Sequence, residues 1–146
     1  MVRKSEERGQ SLVEVGISFI LILFLLSGAV DLGRAFLAFI ALQDASQEGA
    51  IYAAIADKDS AGYNAVVQRV RQSSGSPVNL ADTGTVSVAV SPSGAGYNAL
   101  CAGQTVQVSI THQFAPVTPL SNLIFSSGTV PITASTAATV LTPACP

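Results

Sequence analysis

The chain of 146 residues has no tryptophan, one methionine, one histidine and two cysteines. A lone histidine without Cys, Asp or Glu neighbours makes a poor metal site. Two cysteines permit one intrachain disulfide. Charged residues make up only 11% of the chain against 49% apolar ones, which argues against a solvated disordered polymer. A formal net charge of −2 excludes a basic nucleic-acid binder and offers no polybasic membrane patch.

The scarcity of charge is uneven. Residues 1–9 carry a net +1, residues 10–56 a net −3 and residues 57–82 balance. The last 64 residues, after Asp82, contain no charged side chain. A free cytosolic domain rarely looks like this, because charge keeps such surfaces soluble. Catalytic vocabulary is missing too. The chain has no His-Glu-x-x-His, no phosphate-cradling glycine loop and no evident Ser-His-acid set. The expectation is a protein with no catalytic residues, no metal and no cofactor.

What is present begins with an apolar run. From Gln10 to Val30 only Glu14 is charged, and Ile17–Leu26 forms the centre of the stretch. These 21 residues would span about 30 Å as a helix, the thickness of a bilayer's hydrocarbon core. Arg3, Lys4 and Arg8 precede the run and Arg34 follows it, which predicts a single span with a cytoplasmic N-terminus. Ser27-Gly28-Ala29 is small enough for a signal-peptide cleavage site. The helical pattern nevertheless continues from Asp31 to Ala56, so a retained helix is the better reading.

A carboxylate within an apolar helix costs a few kcal/mol, which makes Glu14 a functional candidate. Near the cytoplasmic boundary it can also simply snorkel toward headgroups. Its surroundings are informative. Arg8-Gly9-Gln10-Ser11-Leu12-Val13-Glu14 resembles the processing site of type IV pilin-like precursors. The resemblance implies cleavage by a membrane-embedded prepilin peptidase between Gly9 and Gln10, leaving a new α-amine one helical turn before Glu14. It also implies that Glu14 pairs with the terminal amine of a neighbouring subunit during assembly. Pairing would relieve the penalty of an isolated buried carboxylate.

Two further stretches, Asp31-Leu32-Gly33-Arg34-Ala35-Phe36 and Ala41–Ala54 with Glu48-Gly49 inside it, extend the resemblance over residues 8–54. Together with the leader they look like the TadE family, the pseudopilins of tight-adherence (Flp-type) pilus systems. Asp31, Gly33, Arg34, Glu48 and Gly49 are the motif positions beyond the cleavage site. The resemblance implies a minor pilin with the prepilin peptidase, other pilins and the assembly machinery as partners. It would reside in the cell membrane before assembly, then in a pilus or at the cell surface. Val15 follows Glu14 where the short major pilins usually carry an aromatic, which favours a pseudopilin. Two alternatives remain: a major pilus subunit, or a permanent single-pass adhesin.

The helix 31–56 has an alanine-rich surface on which Ala45, Gly49 and Ala53 form a smooth stripe. The stripe suits packing on the chain's own outer domain or on another subunit. Asp31 and Arg34 are read as a solvated i,i+3 pair. Asp44 and Glu48 are like charges at i,i+4, for which a nearby cation is expected. Asp57–Gly62 breaks the helix, and its partial likeness to a calcium loop is better read as a capped turn. Asp59 or Ser60 then caps a second helix with an apolar stripe of Ala65, Val66, Val67 and Val70.

After Asp82 the period becomes two. Val86, Val88 and Val90 mark one strand; Val106, Val108, Ile110 and Phe114 mark another. Val130, Ile132, Ala134 and, on the same parity, Thr136, Ala138 and Val140 mark a third. His112 shares the apolar parity and is expected at the sheet margin with its ring hydrogen-bonded. Pro116–Phe125 is a connection that covers the core or meets a partner. Cys101 and Cys145 are expected to form a disulfide if the domain is extracytoplasmic, worth about 4 kcal/mol in chain-entropy terms.

The expected class is α+β: a long N-terminal transmembrane and extended helix, a short second helix, and an antiparallel sheet of about three strands on the helix's outer half. The expected divisions are a 1–9 leader, a 10–30 membrane span, a 31–56 helical continuation and a 57–146 helix-plus-sheet domain.

Overall fold

No proline occurs before Pro77, so nothing removes a backbone donor from the alanine- and leucine-rich N-terminal third. In the computed structural model, which describes residues 6–118 and 128–142, that third is one helix. This helix, α1 (Glu6–Ile55), runs 50 residues, about 75 Å. It begins inside the expected leader, four residues before Gln10. Lys58 closes its far end by donating to the carbonyls of Ala53 and Ala56, a cation placed where the helix leaves carbonyls unpaired.

Helix α2 (Ser60–Gln72) follows a tight reversal. Asp59 is its N-cap, accepting the Gly62 N–H at 2.6 Å. Gly62 is required there, because a Cβ would lie 1.9 Å from the Asp57 carbonyl oxygen. The expected capped turn is what forms. Val66 and Val70 are the buried residues of the α2 stripe, with Ala65 and Val67 half-buried beside them.

Strands β1 (Val86–Ser91), β2 (Thr105–Phe114) and β3 (Val130–Thr139) make one antiparallel sheet in the order β1-β2-β3. Val88 faces Ile110 on one side of the sheet, and Ile110 faces Ala134 on the other. A single turn of helix, α3 (Ala95–Asn98), joins β1 to β2 and buries Tyr97 against the Tyr63 ring, edge to face at 5.4 Å.

The core lies between the sheet and the outer half of α1. Ala38, Leu42, Ala45, Ala50 and Ala53 meet Val106, Val108, Ile110, Ala134 and Val140, with α2 packed alongside. Small helix residues let the sheet approach closely. At Gly49 even a methyl is too large: a Cβ would sit 2.4 Å from Val70 Cγ2 and 3.2 Å from Val108 Cγ1. The Ala45-Gly49-Ala53 stripe is therefore occupied by the chain's own domain. A polar contact crosses this core, where Ser46 Oγ meets Thr136 Oγ1 at 2.7 Å and donates to the Gln43 carbonyl at 2.9 Å, with Gln43 Nε2 donating to the same Thr136 hydroxyl at 3.5 Å. It satisfies the hydroxyl at the one polar position on the buried parity of β3.

Candidate functional site

The sequence-predicted positions fall on α1 in two groups with different surroundings. Gly9, Gln10 and Glu14 lie at its start, all exposed and helical. Gln10 and Glu14 are four residues apart, about 6 Å along the axis. Around Glu14, Leu12, Val13 and Val15 are also exposed, and among the described residues no hydrogen bond or ion pair reaches its carboxylate. The exposed apolar surface continues through Ile17, Phe19–Leu26 and Val30. An 18-residue window here reaches a mean hydropathy of 2.4 with none of it buried, long and apolar enough to cross a membrane.

The second group stands where α1 meets the domain. Asp31 is 9% exposed and accepts backbone N–H bonds from Val117 and Thr118, each at 3.0 Å. The Arg34 guanidinium lies 3.4 Å away, over the Phe114 ring at 5.4 Å from its centre. The Val117 amide, followed by the Thr118 contacts and Arg34, holds the Asp31 carboxyl below the usual carboxylate range, against opposing desolvation. The expected solvated i,i+3 pair is thus a clamp between the helix and the segment leaving β2. Sequence spacing exposed the Arg34 partner but not the two amides, which lie 86 and 87 residues away in the chain.

Glu48 finds the cation anticipated for the Asp44–Glu48 repulsion: Arg69 of α2 lies 2.8 Å from it. Gly49 is beneath Val70 and Val108, whereas Gly33 is open, with nothing within 4 Å of a Cβ built there. The motif positions therefore serve separate contacts and do not converge on one pocket.

His112 departs from expectation at one ring nitrogen. It sits at the margin of the sheet, but its Nδ1 is buried and meets no hydrogen-bond partner among the described residues. Its cross-strand neighbours explain this: Val86 on β1 and Ile132 on β3 offer no side-chain acceptor. Among the described residues no group of three or more His, Cys, Asp or Glu could hold a metal. Cys101 follows α3, while Cys145 lies outside the described residues, as do residues 119–127 of the Pro116–Phe125 connection and residues 1–5 of the leader.

Residues 9–50 match the family model described as TadE-like protein. The match begins three residues inside α1, takes in the apolar run, the Asp31–Phe36 stretch and the second motif stretch as far as Ala50, and ends before the α1 terminus. No curated protein and no solved structure matches the chain.

Proposed function

With a TadE-like N-terminal helix over residues 9–50 as the premise, we propose that this chain is a minor pilin of a tight-adherence pilus system. It is made as a single-pass membrane precursor with its N-terminus in the cytoplasm, and prepilin peptidase cuts it between Gly9 and Gln10. The TadE-like match suggests involvement in Tad pilus systems; the minor role and the processing step go beyond it. The protein acts by assembly, with no catalytic residues and no cofactor.

One observation carries the proposal. Among the described residues Glu14 stands without a partner, inside an apolar helical surface that none of them covers. An ionisable group at that depth is costly alone and stable when paired. Cleavage at Gly9 would place an α-amine one turn away, and the equivalent amine of a neighbouring subunit can supply the counter-charge. The outer half of α1 is rigidly joined to its domain, so extracting the inner half from the membrane would move the whole subunit. Serine and threonine account for 18 of the 64 residues after Asp82, which supports an outward, hydroxyl-wetted sheet face that repels neighbouring copies little. A disulfide between Cys101 and Cys145 fits the same extracytoplasmic placement.

N-terminal sequencing of the protein recovered from cells tests the reading. A start at Gln10 is expected; a start at Met1 or near Asp31 removes it. Glu14→Ala is expected to insert in the membrane normally and to be lost from sheared pili. Normal pili containing that variant would reduce Glu14 to a snorkelling carboxylate.

A further inference from the structure

A cavity of about 310 Å³ opens beside the outer half of α1, where Arg34, Leu37 and Ala38 meet Thr85, His112 and Phe114. Its ionisable lining groups are Arg34 and His112, and no carboxylate lines it. Asp31 beside Arg34 and Asp82, which interacts with His112, are already engaged. Asp31 is held by two backbone amides, and its contact with Arg34 is long at 3.4 Å. Asp82, whose charge feels His112, accepts from the Gly84 N–H at 2.9 Å and the Thr85 hydroxyl at 2.7 Å. Arg34 stays half exposed and, among the described residues, retains N–H donors that no protein acceptor uses. The site thus presents a cationic fork and an imidazole above an apolar floor.

Its height along α1 identifies what it meets. This step rests on reading residues 10–30 as the membrane span. Arg34 lies four residues past Val30, about 6 Å beyond the hydrocarbon edge, and Ala38 about 12 Å beyond it. The headgroup layer on each face of a bilayer is about 5–8 Å thick. Arg34 is therefore level with lipid phosphates, while the exposed Leu37 lies about 4.5 Å farther out along the axis. Arg binds phosphate through paired N–H donors in a fixed plane.

We infer that this cavity is a binding site for the phosphate of an outer-leaflet phospholipid, held by Arg34 beside His112. Bound lipid seats the domain on the membrane surface before assembly and must be released when the subunit leaves the bilayer.

His112 is the sole histidine, so its ring signals report the site without ambiguity. The full chain in detergent micelles would be titrated with dihexanoylphosphatidylglycerol, with a phosphate-free alkyl glucoside, and with inorganic phosphate, following the imidazole resonances by NMR. A saturable shift with the phospholipid alone is expected. Arg34→Gln should weaken that binding at least tenfold, and Arg34→Lys should weaken it less. An equal shift with the glucoside, or unchanged binding in Arg34→Gln, would overturn the site. Saturation by inorganic phosphate at the same concentration would overturn the lipid source. Should Arg34→Gln fail to fold, the three titrations of the native chain decide the matter alone. Flotation with vesicles checks the membrane span separately, so a failed span and a failed site give different results.

Discussion

Residues 10–30 and 31–55 are two halves of one helix with the same backbone geometry and similar apolar content, yet different surroundings. The inner half exposes apolar residues on every side, and none of the other described residues covers it. The outer half turns Ala38, Leu42, Ala45, Gly49 and Ala53 toward the sheet, with Asp31 clamped at its start and Glu48 bridged to α2. An all-round apolar helix needs an apolar solvent or apolar neighbours, whereas a striped helix is the spine of a water-exposed domain. The boundary between the two states falls at Asp31, the first charged residue after Glu14. Substituting equivalent residues in the two halves tests how sharp that boundary is.

Leucine truncation should separate the halves most widely. Leu42 is fully buried, and Leu42→Ala is expected to cost about 2–5 kcal/mol of domain stability through lost burial and the cavity left behind. Leu25 is 75% exposed, and Leu25→Ala should leave the thermal midpoint of the detergent-solubilised protein unchanged. Equal losses at both sites would mean that the inner half also packs on the domain.

The glycines give the next largest contrast. Gly49→Ala forces a methyl against Val70 and Val108 and should cost about 1–3 kcal/mol in denaturant unfolding. Gly33→Ala meets open space, and the better helix propensity of alanine should make it neutral or stabilising by up to about 1 kcal/mol. If Gly33→Ala leaves the isolated subunit sound but impairs pili, the glycine serves a neighbour and not its own fold.

Much of this contrast is legible in the sequence alone. The end of the apolar run, the alanine stripe, the cap at Asp59 and the three alternating strands all leave local periodic signals, and the elements formed where those signals lie. Partners distant in sequence were not legible. Val117 and Thr118 reach Asp31 through backbone amides, which carry no residue-type signature. Ser46 and Thr136 are 90 residues apart, and no local pattern pairs them. For His112, parity gives the correct face but not the identity of its cross-strand neighbours, so it does not show that the buried Nδ1 lacks a partner among the described residues.

Acid should act on the boundary itself. The Asp31 carboxyl is held below its ordinary value near 3.8, chiefly by the Val117 amide. Its contribution is fully present above the unfolded value and is lost as pH falls through the lower folded value. Domain stability should therefore decline below about pH 4 with a component that Asp31→Asn removes. Amide exchange at Val117 and Thr118 locates the effect. Those two amides should lose protection in Asp31→Asn at neutral pH, while the amides of β2 keep theirs.

The smallest effect belongs to the Glu48–Arg69 pair, because both side chains remain substantially exposed. Exposed ion pairs contribute about 0.2–1 kcal/mol and weaken with salt. Glu48→Gln removes the attraction to Arg69, but it also removes the i,i+4 repulsion from Asp44. These changes oppose each other, so the net loss should fall at the low end of that range and shrink further in 1 M salt. Asp44→Asn removes the repulsion alone and should be neutral or slightly stabilising. A loss above about 1 kcal/mol for Glu48→Gln, unchanged by salt, would show that the bridge fixes the angle of α2 on α1. In that case the outer half of the helix would depend on charge as well as on close apolar packing.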